Sequence, residues 1–372
     1  MAALPVSVIT GFLGSGKTTL LASLLRDPAL ARTAVIVNEF GAVSLDHLLL
    51  EASDEEIVAL DSGCVCCTVR GDLVRTAGEL LARRANGAVA AFERIVIETT
   101  GLADPAPILQ ALMTDPALAD ALCLESVIAT IDAVAGAATL DAHPESVKQA
   151  ALADRIVVTK TDLSDPAANG LADRLHAINP AAPQLTAVHC AVDAGRLFGG
   201  GLYDPAARGP DVRRWLAAET VPHDPPGPAG HGQPGHGRAG SRHDDAVTCF
   251  CLRRRTPLRA VTLSLFLQVL AEHCGVGLLR LKGLVDVRES PGRPAVIHGV
   301  QHVFHPPAWL DAWPDDDRTT RIVVIALGLD PRWLEALLDA LDDEVAALQA
   351  GEMTAMGAAI KREEKEGKCS IW

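Results

Sequence analysis

The stretch Gly11-Phe12-Leu13-Gly14-Ser15-Gly16-Lys17-Thr18 constrains this chain more than any other. An apolar run, Val6–Thr10, leads directly into it, and a helix-forming run, Thr18–Arg26, follows it directly. A strand, a glycine turn and a helix in that order form a phosphate-binding loop of the Walker A pattern. The glycines let backbone N–H groups curl around phosphate oxygens, and the helix N-terminus adds its positive dipole end. Gly11, Gly14, Ser15, Gly16, Lys17, Thr18 and Thr19 are therefore the expected phosphate-contacting residues, with Lys17 reaching the β- and γ-phosphates and the Thr18 hydroxyl offered to Mg²⁺.

The rest of the first half repeats this alternation. Short β-branched runs at Ala34–Phe40, Glu56–Leu60, Arg94–Thr99, Ser126–Asp132, Arg155–Thr159 and Gln184–His189 are separated by helical stretches such as Asp72–Arg84 and Ser146–Ala153. That pattern predicts an α/β fold, a P-loop NTPase domain with a mostly parallel sheet over residues 1–198. Residues 199–245 are rich in Gly, Pro, Arg and His and read as a linker. A smaller α+β domain over 246–341 follows, with helices on one sheet face: a strand through Cys251, a helix Leu258–His273, strands in Gly277–Arg288, Pro294–Phe304 and Arg321–Leu327, and a helix Pro331–Leu341. The remaining 342–372 form a charged tail, helical or disordered.

Two further segments suit a nucleotide site. Glu98 closes the run Ile95-Val96-Ile97-Glu98 and is the expected carboxylate of the Mg²⁺ shell. Gly101 follows in Glu98-Thr99-Thr100-Gly101, where its N–H can sense the γ-phosphate. Thr159-Lys160-Thr161-Asp162 resembles the guanine-recognition motif of GTPases, with Asp162 accepting from the base and the Lys160 stem lying against it. The usual first residue there is Asn, so Thr159 leaves ATP to be excluded by experiment.

The cysteines point to a second chemistry. Three of the 9 crowd into Cys64-Val65-Cys66-Cys67. Three thiolates so close can surround Zn²⁺ or Co²⁺, and Glu39, in Asn38-Glu39-Phe40-Gly41, is a plausible oxygen ligand. Buried inert cysteines or a redox pair are the alternatives. His223, His231, His236 and His243 in the linker suit either metal capture or a plain solvated chain. His298, His302 and His305 read as structural, and Cys249 and Cys251 as packing residues sharing one strand face.

Charge and hydropathy narrow the partners. A formal net charge of −14 with 3% aromatic residues argues against a general nucleic-acid binder. No apolar run approaches the roughly 20 residues a membrane helix needs, and adjacent cysteines suit a reducing compartment, so the expectation is a cytoplasmic chain without a membrane partner.

Together the glycine loop, Asn38–Gly41 with Asp46, Gly63–Cys67 with Arg70 and Asp72-Leu73, Glu98–Pro105, and Ala153-Asp154-Arg155 leading into Thr159–Asp162 resemble the CobW-type P-loop GTPases, relatives of the nickel-enzyme accessory GTPases. Arg280-Leu281-Lys282-Gly283 and His298-Gly299-Val300-Gln301 look like that family's carboxyl-terminal domain. The resemblance implies a slow GTPase using GTP and Mg²⁺, with Lys17 and Glu98 in the catalytic site and Glu39 a candidate to orient the attacking water. It also implies a metallochaperone that binds Zn²⁺, or Co²⁺, at Cys64, Cys66 and Cys67 and passes it to a client metalloprotein. A P-loop ATPase or kinase with structural cysteines, and a metal-storage or sensing module, are the competing readings. Neither the client nor an oligomeric state is written in these residues.

Overall fold

The computed structural model describes residues 3–37, 57–59, 68–165, 167, 169–198 and 247–365. Its first unit is a seven-stranded sheet in the order β3-β2-β4-β1-β5-β6-β7, every neighbouring pair parallel. The strands are β1 (Leu4–Gly11), β2 (Thr33–Val37), β3 (Ile57–Ala59), β4 (Arg94–Glu98), β5 (Leu122–Asp132), β6 (Arg155–Thr159) and β7 (Gln184–Thr186). The helices are α1 (Lys17–Leu24), α2 (Thr68–Ala85), α3 (Ala106–Thr114), α4 (Pro116–Ala119), α5 (Gly136–Ala142), α6 (Pro144–Leu152), α7 (Leu171–Ile178) and α8 (Ala194–Leu197).

Burial on both faces explains the near-continuous apolar character of these strands. Successive β1 residues serve opposite cores: Val6 and Val8 pack with Ile36, Leu73, Ile97 and Leu109, while Ile9 packs with Leu20, Leu21, Leu24 and Val157. β5 starts at Leu122, earlier than the apolar pattern suggests, because Glu125 is satisfied within the sheet. It accepts from the Ser7 hydroxyl at 2.8 Å and pairs with Arg94 at 3.0 Å. β7 ends at Thr186 rather than His189. His189 and Cys190 have φ of 49° and 58°, outside extended geometry, because the chain there folds back toward the glycine loop.

The second unit is a six-stranded antiparallel sheet ordered β11-β10-β9-β13-β8, with β12 beside β10. It comprises β8 (Val247–Arg254), β9 (Leu278–Val285), β10 (Ala295–Val300), β11 (Val303–Phe304), β12 (Ala308–Trp309) and β13 (Thr320–Leu327). Helices α9 (Ala260–His273) and α10 (Pro331–Lys365) accompany it. The expected strand Pro294–Phe304 is broken by a turn at Gln301, whose φ is 55°. The last helix does not stop at Leu341. Asp342 is buried in it, bonded to Arg254 at 2.8 Å, Arg259 at 2.7 Å and the Thr262 hydroxyl at 3.0 Å, which fastens α10 to β8 and α9.

One face of this sheet holds its own core around Phe266, Leu281 and Leu334, and the other meets the first unit. Leu279 and Ile325 pack among Val147, Ala151, Leu171 and Leu175. At the centre of that seam Asp154, just beyond α6, bonds Arg280 at 2.5 Å and also Lys282. Burial opposes ionisation of Asp154, but the two cations outweigh it and hold the carboxyl well below the usual range. Cys251 packs with Leu284, Val296 and Val323, and burial pushes the Cys249 thiol up to about 12, in keeping with packing roles. His298 is buried on β10, and burial lowers the pKa of His305, in keeping with structural roles. Among the described residues, no helix is long and apolar enough to cross a membrane.

Candidate nucleotide site

All seven strands of the first sheet run the same way, so their carboxyl ends share one rim, where ligands of open α/β sheets bind. Central β1 delivers the glycine loop there, flanked by β4 with Glu98 and β5 with Thr130 and Asp132. β6 and β7 add Thr159–Asp162 and Ala187–Cys190 beyond.

The loop is bolted in place by hydroxyls. The Ser15 and Thr130 hydroxyls lie 2.6 Å apart, and Thr130 donates to the Thr10 carbonyl at 3.2 Å. Thr159 donates to the Ser15 carbonyl at 2.7 Å, so the residue that departs from the usual Asn still ties β6 to the glycine loop. Gly16 caps α1 in the left-handed region, with φ 88° and ψ 22°, which a side chain would strain. Gly11 ends β1 opposite Thr130, Gly14 is exposed at the loop tip, and Thr19 is exposed on the first turn of α1. Lys17 is buried, its ammonium donating to the Phe12 carbonyl at 3.3 Å along the loop.

Glu98 is 3% exposed and accepts from the Thr18 hydroxyl at 2.6 Å. A hydroxyl and a carboxylate brought together at a helix N-terminus form the oxygen donor set that a hard cation such as Mg²⁺ takes. Beyond Glu98, Gly101 lies so close to the glycine loop that a Cβ on it would stand 2.7 Å from the Leu13 nitrogen and 2.8 Å from its Cα. The buried Gln149 side chain holds the following turn, donating to the Gly101 carbonyl at 3.3 Å and the Ala103 carbonyl at 3.0 Å.

Just beyond β6, Lys160 has φ 57° and pairs with Asp132 at 2.6 Å. Burial opposes ionisation of Asp132, but Lys160 and the Val134 and Ala135 amides outweigh it and keep the carboxyl below its usual range. Asp162 stands 3.7 Å from the His189 imidazole. Burial, joined by the nearby Asp162 carboxylate, pushes the Cys190 thiol up. The structure thus brings Gly11, Gly14, Ser15, Gly16, Lys17, Thr18, Glu98, Gly101, Lys160 and Asp162 to one rim. Asp132 and the Ala187–Cys190 loop belong to the same rim and were missed by sequence reasoning; a carboxylate at the end of an apolar strand was the available signal for Asp132. Glu39, Asp46, Cys64, Cys66, Cys67 and the linker histidines His223, His231, His236 and His243 lie outside the described residues.

Comparison with known proteins accounts for both units. Residues 5–186 match the CobW/HypB/UreG nucleotide-binding domain, and residues 247–342 match the cobalamin synthesis protein cobW C-terminal domain. The chain belongs to the CobW family. It is 31% identical to the zinc chaperone YjiA of Escherichia coli over 331 residues, covering 89% of this chain and 96% of that one. It is 34% identical to the zinc chaperone CobW of Pseudomonas aeruginosa over 352 residues, 89% of each. The crystal structure of Zn(II)-bound YjiA GTPase from E. coli superposes with a TM-score of 0.63 at 26% identity, covering 92% of this chain and 99% of that one. The family membership implied by the motifs of the first unit extends through the second.

Proposed function

We propose that this protein is a metallochaperone that binds and hydrolyses GTP on the rim described above and carries Zn²⁺, or Co²⁺, to a client metalloprotein in the cytoplasm. The chain is a GTPase of the CobW family. Its phosphate end is built from Gly11–Thr19, with Lys17 reaching the β- and γ-phosphates and Thr18 and Glu98 holding Mg²⁺. Mg²⁺ would neutralise charge developing on the phosphates; the residues around it orient the nucleotide and exclude water. Gly101 contacts the γ-phosphate, and Asp162 and Lys160 hold guanine.

The observation that carries the nucleotide half is the 2.6 Å bond from Thr18 to Glu98, with Gly101 against the glycine loop. That arrangement links metal, γ-phosphate and phosphate loop in one contact set. The metal half rests on Cys64, Cys66 and Cys67 and on zinc chaperone relatives matched over nearly their whole length. The cargo ion binds the three thiolates and Glu39, on segments that follow β2 and β3 in the chain, two paired strands of which β2 lies next to β4. Hydrolysis releases the γ-phosphate contacts and loosens the ligand set.

The test is a competitive Zn²⁺ titration of the reduced protein with Mg²⁺ plus a non-hydrolysable GTP analogue, repeated with Mg²⁺ plus GDP, and with Cys66→Ala as control. Tighter binding with the analogue that vanishes in the variant is expected. Equal affinities in both nucleotide states would refute nucleotide-gated delivery, because a ligand without differential affinity shifts nothing.

A further inference from the structure

The loop Gly101–Pro105 is held between two helices, and both rest on the second unit. α3 begins where the loop ends, its Ala106 amide donating to the Asp104 carboxylate at 3.0 Å. Further along, the buried Gln110 side chain donates to the Gln301 side chain of the second sheet at 2.9 Å. α6 is engaged along its whole length. At its start His143 stacks on Phe12 of the glycine loop, with centroids 4.2 Å apart and planes at 26°. Midway Lys148 pairs with Asp104 at 3.1 Å, and Gln149 donates to the Gly101 and Ala103 carbonyls. Just beyond its end Asp154 bonds Arg280 and Lys282 of β9, and its other oxygen accepts from the Val127 amide at 2.9 Å.

Gln149 is the anchor of the loop on α6. Its NH₂ serves both loop carbonyls, which leaves the side-chain oxygen buried without a hydrogen-bond partner. The groups that hold the loop extend into the second unit.

We propose that α6 makes the γ-phosphate loop and the second domain a coupled pair, Gln149 being the positioning residue at the loop and Asp154 with Lys282 the attachment at the seam. The proposal rests on the reading of Gly101 as a γ-phosphate contact. Coupling between two sites is reciprocal, so a partner that moves the second domain changes the preference for GTP over GDP, and GTP changes the affinity for that partner. The physical warrant is the continuous set of hydrogen bonds and ion pairs that runs along α6 from the loop to the seam.

The experiment measures, on the full chain, steady-state GTP turnover and the affinities of fluorescent GDP and a fluorescent non-hydrolysable GTP analogue. Gln149→Leu and Lys282→Met are each expected to lower the analogue-over-GDP preference by about fivefold or more, the usual floor for site coupling, and kcat with it. GDP affinity stays within about twofold, since GDP lacks the group the loop contacts. Combining the two variants adds nothing beyond the larger single effect, and Lys282→Arg, which keeps the charge beside Asp154, restores the parent values. Gln110→Leu cuts the seam without unpairing a buried charge and carries the same expectation should Lys282→Met fail to fold. The proposal is overturned if both seam variants leave the preference and kcat unchanged while Gln149→Leu and Gly101→Ala reduce them. A Gly101→Ala chain that keeps both overturns the reading of the loop, and the coupling falls with it.

Discussion

Gly101→Ala tests the proposed γ-phosphate contact with the smallest possible change. The added Cβ would stand 2.7 Å from the Leu13 nitrogen and 2.8 Å from its Cα, whereas an ordinary contact begins near 3.4 Å. The Leu13 side chain is exposed and can swing aside, but its backbone cannot, so the two segments must separate by roughly 0.7 Å, the gap between 2.7 Å and 3.4 Å. The glycine loop is fixed by the Ser15–Thr130 and Thr159–Ser15 bonds, whereas Leu102 beside Gly101 is exposed, so the Gly101 side yields. Overpacking of this kind costs about 1–3 kcal/mol of stability. A displacement near 1 Å in a positioning group costs on the order of 10²-fold in rate, so kcat for GTP is expected to fall about 10- to 100-fold. GDP affinity stays within about threefold, because the phosphate loop and base site keep their geometry. Steady-state phosphate release and a fluorescent GDP titration make the comparison. A kcat within twofold of the parent, or GDP affinity falling in step with kcat, would refute the placement of Gly101 at the γ-phosphate.

Three further expectations follow from named contacts. Asp162→Asn should weaken GTP by about 100-fold while leaving ATP unchanged, since charge-assisted bonds to the base contribute about 1.5–3 kcal/mol each; parallel changes for both nucleotides in competition binding would remove Asp162 from the base site. Glu98→Gln should cut turnover by about 10²- to 10³-fold and raise the Mg²⁺ concentration required, and an unchanged Mg²⁺ dependence would argue against the Thr18–Glu98 donor set. Asp154 is ionised in the folded protein well below its ordinary 3.8, so the unfolded chain takes up the proton first and stability is lost as pH falls through and below that value. Asp154→Asn leaves two buried cations facing a neutral group and should cost about 3–5 kcal/mol at neutral pH, a gap that narrows toward about pH 3 in urea unfolding; an equal gap at both pH values contradicts this.

What could be read from the residues and what could not divides along sequence separation. The glycine loop was legible because its strand, turn and helix are contiguous, and the parallel sheet because strands buried on both faces leave β-branched runs. Glu98 was legible as a carboxylate at a strand end, and the structure puts it on Thr18. The end of β7 was misjudged because alternation continues through Val188 while φ at His189 and Cys190 turns positive, which no side-chain pattern announces. β5 was cut short for the opposite reason. Glu125 looks like a terminator until its partners, Ser7 and Arg94, are brought beside it from elsewhere in the chain.

Thr159 shows how a departure from a motif can keep one function and leave another to its neighbours. From sequence alone, loss of the usual Asn weakens the guanine reading, because that position is judged by the motif it completes. In the fold the Thr159 hydroxyl donates to the Ser15 carbonyl at 2.7 Å and lies 3.3 Å from the Ile131 carbonyl, so it joins β6, β5 and the phosphate loop. A hydroxyl on a β-branched side chain suits that task, since its rotamer is restricted and little entropy is lost in the bond. On the proposed reading, base discrimination would fall to Asp162 and to Lys160, which pairs with Asp132 at 2.6 Å. The bracing bond and the recognition bonds thus reside on different residues, and replacing Thr159 should loosen phosphates and base together, whereas replacing Asp162 should affect the base alone.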